Sequence, residues 1–122
     1  MVAWVRDEPA ASAVEFFFQE AAANNLRLSM SALNVGETFY ILAKRKSLLV
    51  AEEFLERLSS LPIHVAVPDE DGIMAAARIK ASNSIAYGDS FAIALALANG
   101  ASVITGDDEI RQCGLVPVDW VG

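Results

Sequence analysis

Glu37, Asp89 and Asp107 interrupt the three stretches of this chain that most need to be buried. Glu37 lies in SALNVGETFYIL, on a helical stripe of apolar residues. Asp89 opens a nearly all-apolar helix in YGDSFAIALALA, and Asp107 closes a short apolar strand in ASVITGDDEI. Carboxylates drawn towards a core lose hydration and repel one another, so they persist only when paired or bound to a cation. No equally spaced set of Lys or Arg accompanies them. The fold therefore has to gather the three, and a divalent metal is the reading that the pattern raises.

The 122 residues suffice for one domain with a real core, and a hydrophobic content of 54% excludes a disordered chain. The longest unbroken apolar run, Phe91 to Ala98, is far short of the roughly 20 residues that span a bilayer, so no membrane segment is expected. The opening MVAWVRDEPAA lacks the basic and apolar regions of an export signal, which points to the cytoplasm. Cys113 is the one cysteine, which fits a reducing compartment, and it reads as a small buried hydrophobe. With 9 basic and 16 acidic residues the net charge is −7, unlike proteins that hold nucleic acid by charge alone. An acidic protein that acts on a phosphodiester needs metal ions between its carboxylates and the phosphate.

Apolar periodicity runs almost end to end, with no repeat or linker. Pro9 is expected in the first turn of a helix reaching about Ala23, stopped by Asn24 and Asn25, with Val14, Phe17 and Phe18 inward. Leu26 to Met30 reads as a strand, and Ser31 caps a helix to about Lys46. Its last turn carries Lys44, Arg45 and Lys46, which suit the helix dipole. A helix over Val50 to Leu61 presents Phe54, Leu55 and Leu58. Ile63 to Val67 then reads as a buried strand. Helices from Asp69 to about Ala81 and from Gly88 to about Ala98 follow, the second stopped by Asn99 and Gly100. Ala101 to Thr105 is a buried strand, Asp108 to Gln112 a helical turn, and Leu115 to Val118 a last strand. Strands separated by helices argue for a parallel α/β sheet covered on both faces.

Each acidic position also has a plainer reading. Leu33, Glu37 and Ile41 stack at four-residue spacing, with Asn34 one turn earlier and able to orient the carboxylate; alone, Glu37 reads first as a surface residue, and the stripe of neighbours brings the two readings level. Ile93, Ala96 and Leu97 continue the face of Asp89, which on its own is also a first-turn or N-cap aspartate. Asp107 sits at the carboxyl end of a parallel strand, where ligands gather in open α/β sheets, yet an Asx turn would suffice. Gly106 lets the backbone turn there, and the Thr105 hydroxyl can donate to a carboxylate or a water. Asp108 faces elsewhere than its neighbour, so Asp107 is preferred.

Taken together and in this order, SALNVGETFYIL, YGDSFAIALALA and ASVITGDDEI resemble the three internal acidic motifs of PIN-domain ribonucleases, particularly the VapC-type toxins of toxin–antitoxin modules. VAWVRDEPAASAVE is similar to the stretch that follows the first motif in such toxins. The resemblance covers essentially residues 1–122 as a single domain. It implies a three-layer α/β/α fold with a short parallel sheet, and a metal-dependent endoribonuclease. It further implies that Glu37, Asp89 and Asp107 are magnesium or manganese ligands, with Asn34 and Thr105 behind them. RNA would be the substrate, a VapB-like antitoxin the partner, and a homodimer the assembly.

One departure from the family stands out. PIN domains of this type begin with a short apolar strand ending in Asp-Thr or Asp-Ser, and the sequence opens after it, so the central N-terminal strand and one carboxylate are expected to be missing. A start placed too late, a degraded toxin, or compensation between two chains would each account for this. The expectation is one weakly held metal at most and impaired cleavage, or an inactive remnant that still binds an antitoxin or itself. A haloacid-dehalogenase-like phosphatase or a receiver domain would need an aspartate on an early strand and a placed lysine, and neither is found. His64, the one histidine, reads as a solvated or core residue, not a general base. Trp4, Phe39 and Tyr40 read as core or dimer packing rather than base-stacking platforms. Lys44, Arg45 and Lys46, the one compact basic run, suit either an RNA backbone or, more plainly, a solvated helix end.

Overall fold

The computed structural model describes residues 28–105 and 107–120. The expected Pro9 to Ala23 helix, Trp4 and Gly106 lie outside them. Strand β1 (Leu28–Ser31) runs directly into helix α1 (Ala32–Arg45). Helix α2 (Leu48–Ser60), strand β2 (Ile63–Ala66), helix α3 (Glu70–Ser82) and helix α4 (Tyr87–Asn99) follow. Strand β3 (Val103–Thr105), the short helix α5 (Asp108–Cys113) and strand β4 (Val118–Trp120) complete the order.

All the described strand pairs are parallel, as the alternation of strands and helices requires. β1 pairs with β2, aligning Leu28 with Ile63, and β3 pairs with β4, aligning Val103 with Val118. Side chains alternate across a strand, and β3 uses both faces. Val103 joins Ile85, Ile93, Ala96, Ile110 and Val116 in one core cluster, while Ile104 packs against a second made of Met30, Leu42, Ala51, Phe54 and Leu58. Apolar packing on both faces of a parallel strand is the signature of a layered α/β fold.

Local chemistry sets the element ends. Ser47 Oγ accepts from the Val50 amide at 3.1 Å, so α2 starts two residues before the expected Val50. Asp69 caps α3 through the Gly72 amide at 2.8 Å. Gly100, with φ of 59°, ends α4 in the left-handed conformation that glycine adopts without a steric penalty.

Several inward faces differ from the expectation. In α2 the buried residues are Ala51, Phe54 and Leu58, and Leu55 is exposed, because the stripe at i, i+3 and i+7 meets α1. β2 is not buried: it pairs with β1 alone among the described strands, and Val65 and Val67 are exposed. In α4 Ile93 and Ala96 are buried but Leu97 is not, since the helix is exposed from Leu97 to its end. β4 lies at Val118–Trp120 rather than Leu115 to Val118, and the buried Val116 belongs to the preceding turn. His64 is solvated on the edge strand. Cys113 is half-buried against the Ile93 cluster, its thiol donating to the Ile110 carbonyl at 3.0 Å. Among the described residues no helix is long and apolar enough to cross a membrane.

Ile93 has no exposed surface. Ile93→Ala is expected to cost about 2–5 kcal/mol through lost burial and a cavity, and Leu97→Ala under about 1 kcal/mol. Urea unfolding of the two variants checks the difference.

Candidate metal centre

The pocket begins where α1 meets the first turn of α4. In α1 the buried stripe is Asn34, Thr38 and Leu42, one residue over from the Leu33, Glu37 and Ile41 stripe expected from apolar character. Two polar residues are buried there because each has a partner. Asn34 Nδ2 donates to the Gly88 carbonyl at 2.8 Å, and Thr38 Oγ1 donates to the Asn34 carbonyl at 2.9 Å. Asn34 therefore does not orient Glu37 directly. It pins the start of α4, and Glu37 is left half-buried at the flank of the stripe.

Glu37 reaches α4 because Gly88 has no side chain. A methyl group built on Gly88 would lie 2.8 Å from Glu37 Oε1 and would overlap Oε2. Asp89 is the next residue, half-buried in the first turn of α4. It is not the cap: Ala86 holds that position without a side-chain bond. A first-turn carboxylate ordinarily gains from the helix dipole. Here burial, then the charges of Asp107 and Glu37, push the Asp89 carboxyl from 3.8 up to about 6.

Asp107 enters from the carboxyl end of β3. Its backbone amide donates to Thr105 Oγ1 at 3.0 Å, so Thr105 steadies the turn as an acceptor rather than donating to a carboxylate. Asp107 Oδ1 accepts from the Glu109 amide at 2.8 Å and caps α5. The plainer reading of Asp107 as a turn and cap residue is thus realised together with its place in the pocket, where one of its carboxylate oxygens lies within 4.8 Å of one from Asp89. Asp108 points elsewhere, held by Arg111 and by Gln112 Nε2 at 2.6 Å. Arg111 in turn lies 4.0 Å over the Trp120 ring, which ties α5 to β4.

Asp89, Asp107 and Glu109 each offer a carboxylate oxygen, and these oxygens lie within 4.8 Å of one another. Glu109 escaped the sequence reading; the signal available was its acidic spacing two residues after Asp107, at the opening of a short helix. Glu37 is not in that closest group, yet its charge is felt at Asp89. Among the described residues no Lys, Arg or His forms an ion pair with any of the four. An all-oxygen donor set that no described cation pairs with fits a hard divalent cation.

The PIN domain family profile matches residues 1–114. This chain belongs to the PIN domain family. Its fold matches a chain in the structure of VapBC-1 from nontypeable Haemophilus influenzae, with a TM-score of 0.62 and 18% identity over 85% of this chain and 84% of that one. No curated protein matches the sequence. PIN domains are generally nucleases that use divalent metals.

Two measurements test the electrostatics of the pocket in metal-free protein. Between about pH 4 and 6 the folded state holds a proton on Asp89 that the unfolded chain releases, so this group's contribution to stability falls as pH rises through that window. Asp89→Asn is therefore expected to raise Tm above about pH 7, the gain vanishing below about pH 4. Gly88→Ala is expected to keep or slightly raise stability, by up to about 1 kcal/mol of helix propensity, while pushing the flexible Glu37 carboxylate aside. The Asp89 titration, followed by NMR, then shifts below about pH 6.

Proposed function

We propose that this PIN domain is a magnesium- or manganese-dependent endoribonuclease of the VapC type, acting on RNA in the cytoplasm and silenced by a VapB-like antitoxin. The observation that carries the reading is the convergence of Asp89, Asp107 and Glu109 from two separate elements, with Glu37 beside them. When bound, the cation supplies Lewis acidity to a phosphodiester and makes water a better nucleophile near neutral pH. Asp89, Asp107 and Glu109 would hold it, and Glu37 adds negative charge on the α1 side. Asn34 and Thr105 act one step back, fixing the backbone at Gly88 and at Asp107.

Glu109 stands in the donor trio where the sequence had suggested Glu37, so three carboxylates still converge, which favours an active enzyme over an inactive remnant. The VapBC-1 neighbour is a toxin–antitoxin pair by name, and that likeness supports an antitoxin partner for this chain. Residues 1–122 would act as one PIN domain.

The test is cleavage of a single-stranded RNA in magnesium, with EDTA as control. Asp89→Asn and Asp107→Asn should each lose at least about a hundredfold in rate, beyond what disturbing an outer partner costs. Magnesium should raise the Tm of the unaltered protein and not that of Asp89→Asn. Full cleavage by Asp89→Asn, or cleavage that survives EDTA, would sink the proposal. Antitoxin binding without any cleavage would instead select the inactive remnant.

A further inference from the structure

Tyr40 is 53% exposed, and among the described residues nothing hydrogen-bonds it or stacks on its ring. Of the core or dimer packing expected for it, the core place is not taken. Phe39, one residue earlier, takes that place against the Met30 cluster. Tyr40 instead follows Glu37 by three residues and precedes Lys44 by four, so Glu37, Tyr40 and Lys44 form one stripe along α1. Leu33, 41% exposed, begins the same stripe. At 1.5 Å per residue, Lys44 stands about 10 Å along the helix from Glu37, with the Tyr40 ring between them.

Lys44, Arg45 and Lys46 are all exposed, and no described carboxylate pairs with them. The helix dipole rationalises a cation in the last turn, but it does not call for three in succession. On a chain of net charge −7 this is the one compact basic run, and it stands on the helix that carries a pocket carboxylate. Charge complementarity selects a polyanion as its occupant. An exposed aromatic between a phosphate-cleaving pocket and a basic run selects a single strand with unstacked bases, since each base offers a face to the ring.

We propose that Tyr40 and Lys44, with Arg45 and Lys46 beyond them, form a track for single-stranded RNA leading away from the acidic pocket. A base stacks on Tyr40, and phosphates one or two nucleotides from the cleaved bond meet the basic end of α1. The assignment rests on the ribonuclease reading above and extends it to substrate class.

Fluorescence anisotropy with an unstructured, labelled RNA of about 12 nucleotides in calcium, at several salt concentrations, tests the track. Tyr40→Ala is expected to weaken binding about tenfold and Tyr40→Trp to retain it. Replacing Lys44, Arg45 and Lys46 together by Gln should reduce the slope of log affinity against log salt by about 2. If the unaltered protein cleaves RNA while these variants bind with unchanged affinity and slope, the track is overturned and the ribonuclease reading stands. If the same variants dissociate a homodimer or release a protein partner while RNA binding is unchanged, the stripe is a protein interface and the track is again overturned. An unaltered protein that neither binds nor cleaves RNA removes the ribonuclease reading and the track with it.

Discussion

The side-chain amide of Asn34 donates to the Gly88 carbonyl inside the packed contact between α1 and α4, and the geometry of the acidic pocket follows from that bond. Shielded from water, such a hydrogen bond is stronger than an exposed one and costly to leave unmade. It fixes where the first turn of α4 sits against α1. Gly88 then offers an open face to Glu37, and Asp89, one residue on, is carried to the mouth of β3. A buried amide thus holds together side chains whose like charges repel one another.

β3 supplies the other wall. It is three residues long, yet Val103 and Ile104 anchor it in two different core clusters. A strand clamped on both faces has little freedom at its carboxyl end, and Asp107 inherits that rigidity through the Thr105 hydroxyl. The two walls are independent in sequence and meet only through tertiary packing. This explains why each acidic motif looks unremarkable alone.

The alternation of strands and helices, the caps at Ser31, Ser47 and Asp69, and the stop at Gly100 were legible because they depend on neighbours within four residues. Burial was less so. Apolar character pointed to Leu33 and Ile41 as the inward companions of Glu37, whereas the fold buries Asn34 and Thr38, whose value lies in partners that periodicity does not reveal. Leu97, Leu55 and Val67 were expected inside and are exposed, since pattern gives a face but not how far the neighbouring element extends. In the pocket, the positions of Glu37, Asp89 and Asp107 were readable from carboxylates set among apolar residues. Glu109 was not, because it lies on an exposed turn where acidic residues are ordinary. Gly88 was passed over as well: its importance is a missing atom, visible only once Glu37 is placed against it.

Asp107 serves two masters. Its Oδ1 holds the first amide turn of α5, a helix of six residues too short to persist on propensity alone, while the same carboxyl faces Asp89. A change to alanine would commit two faults at once, unravelling a scaffold and discharging a pocket. Asparagine keeps the oxygen that the amide needs and removes only the charge. Architecture and reactivity are therefore separable at this position by a single atom, although one side chain provides both.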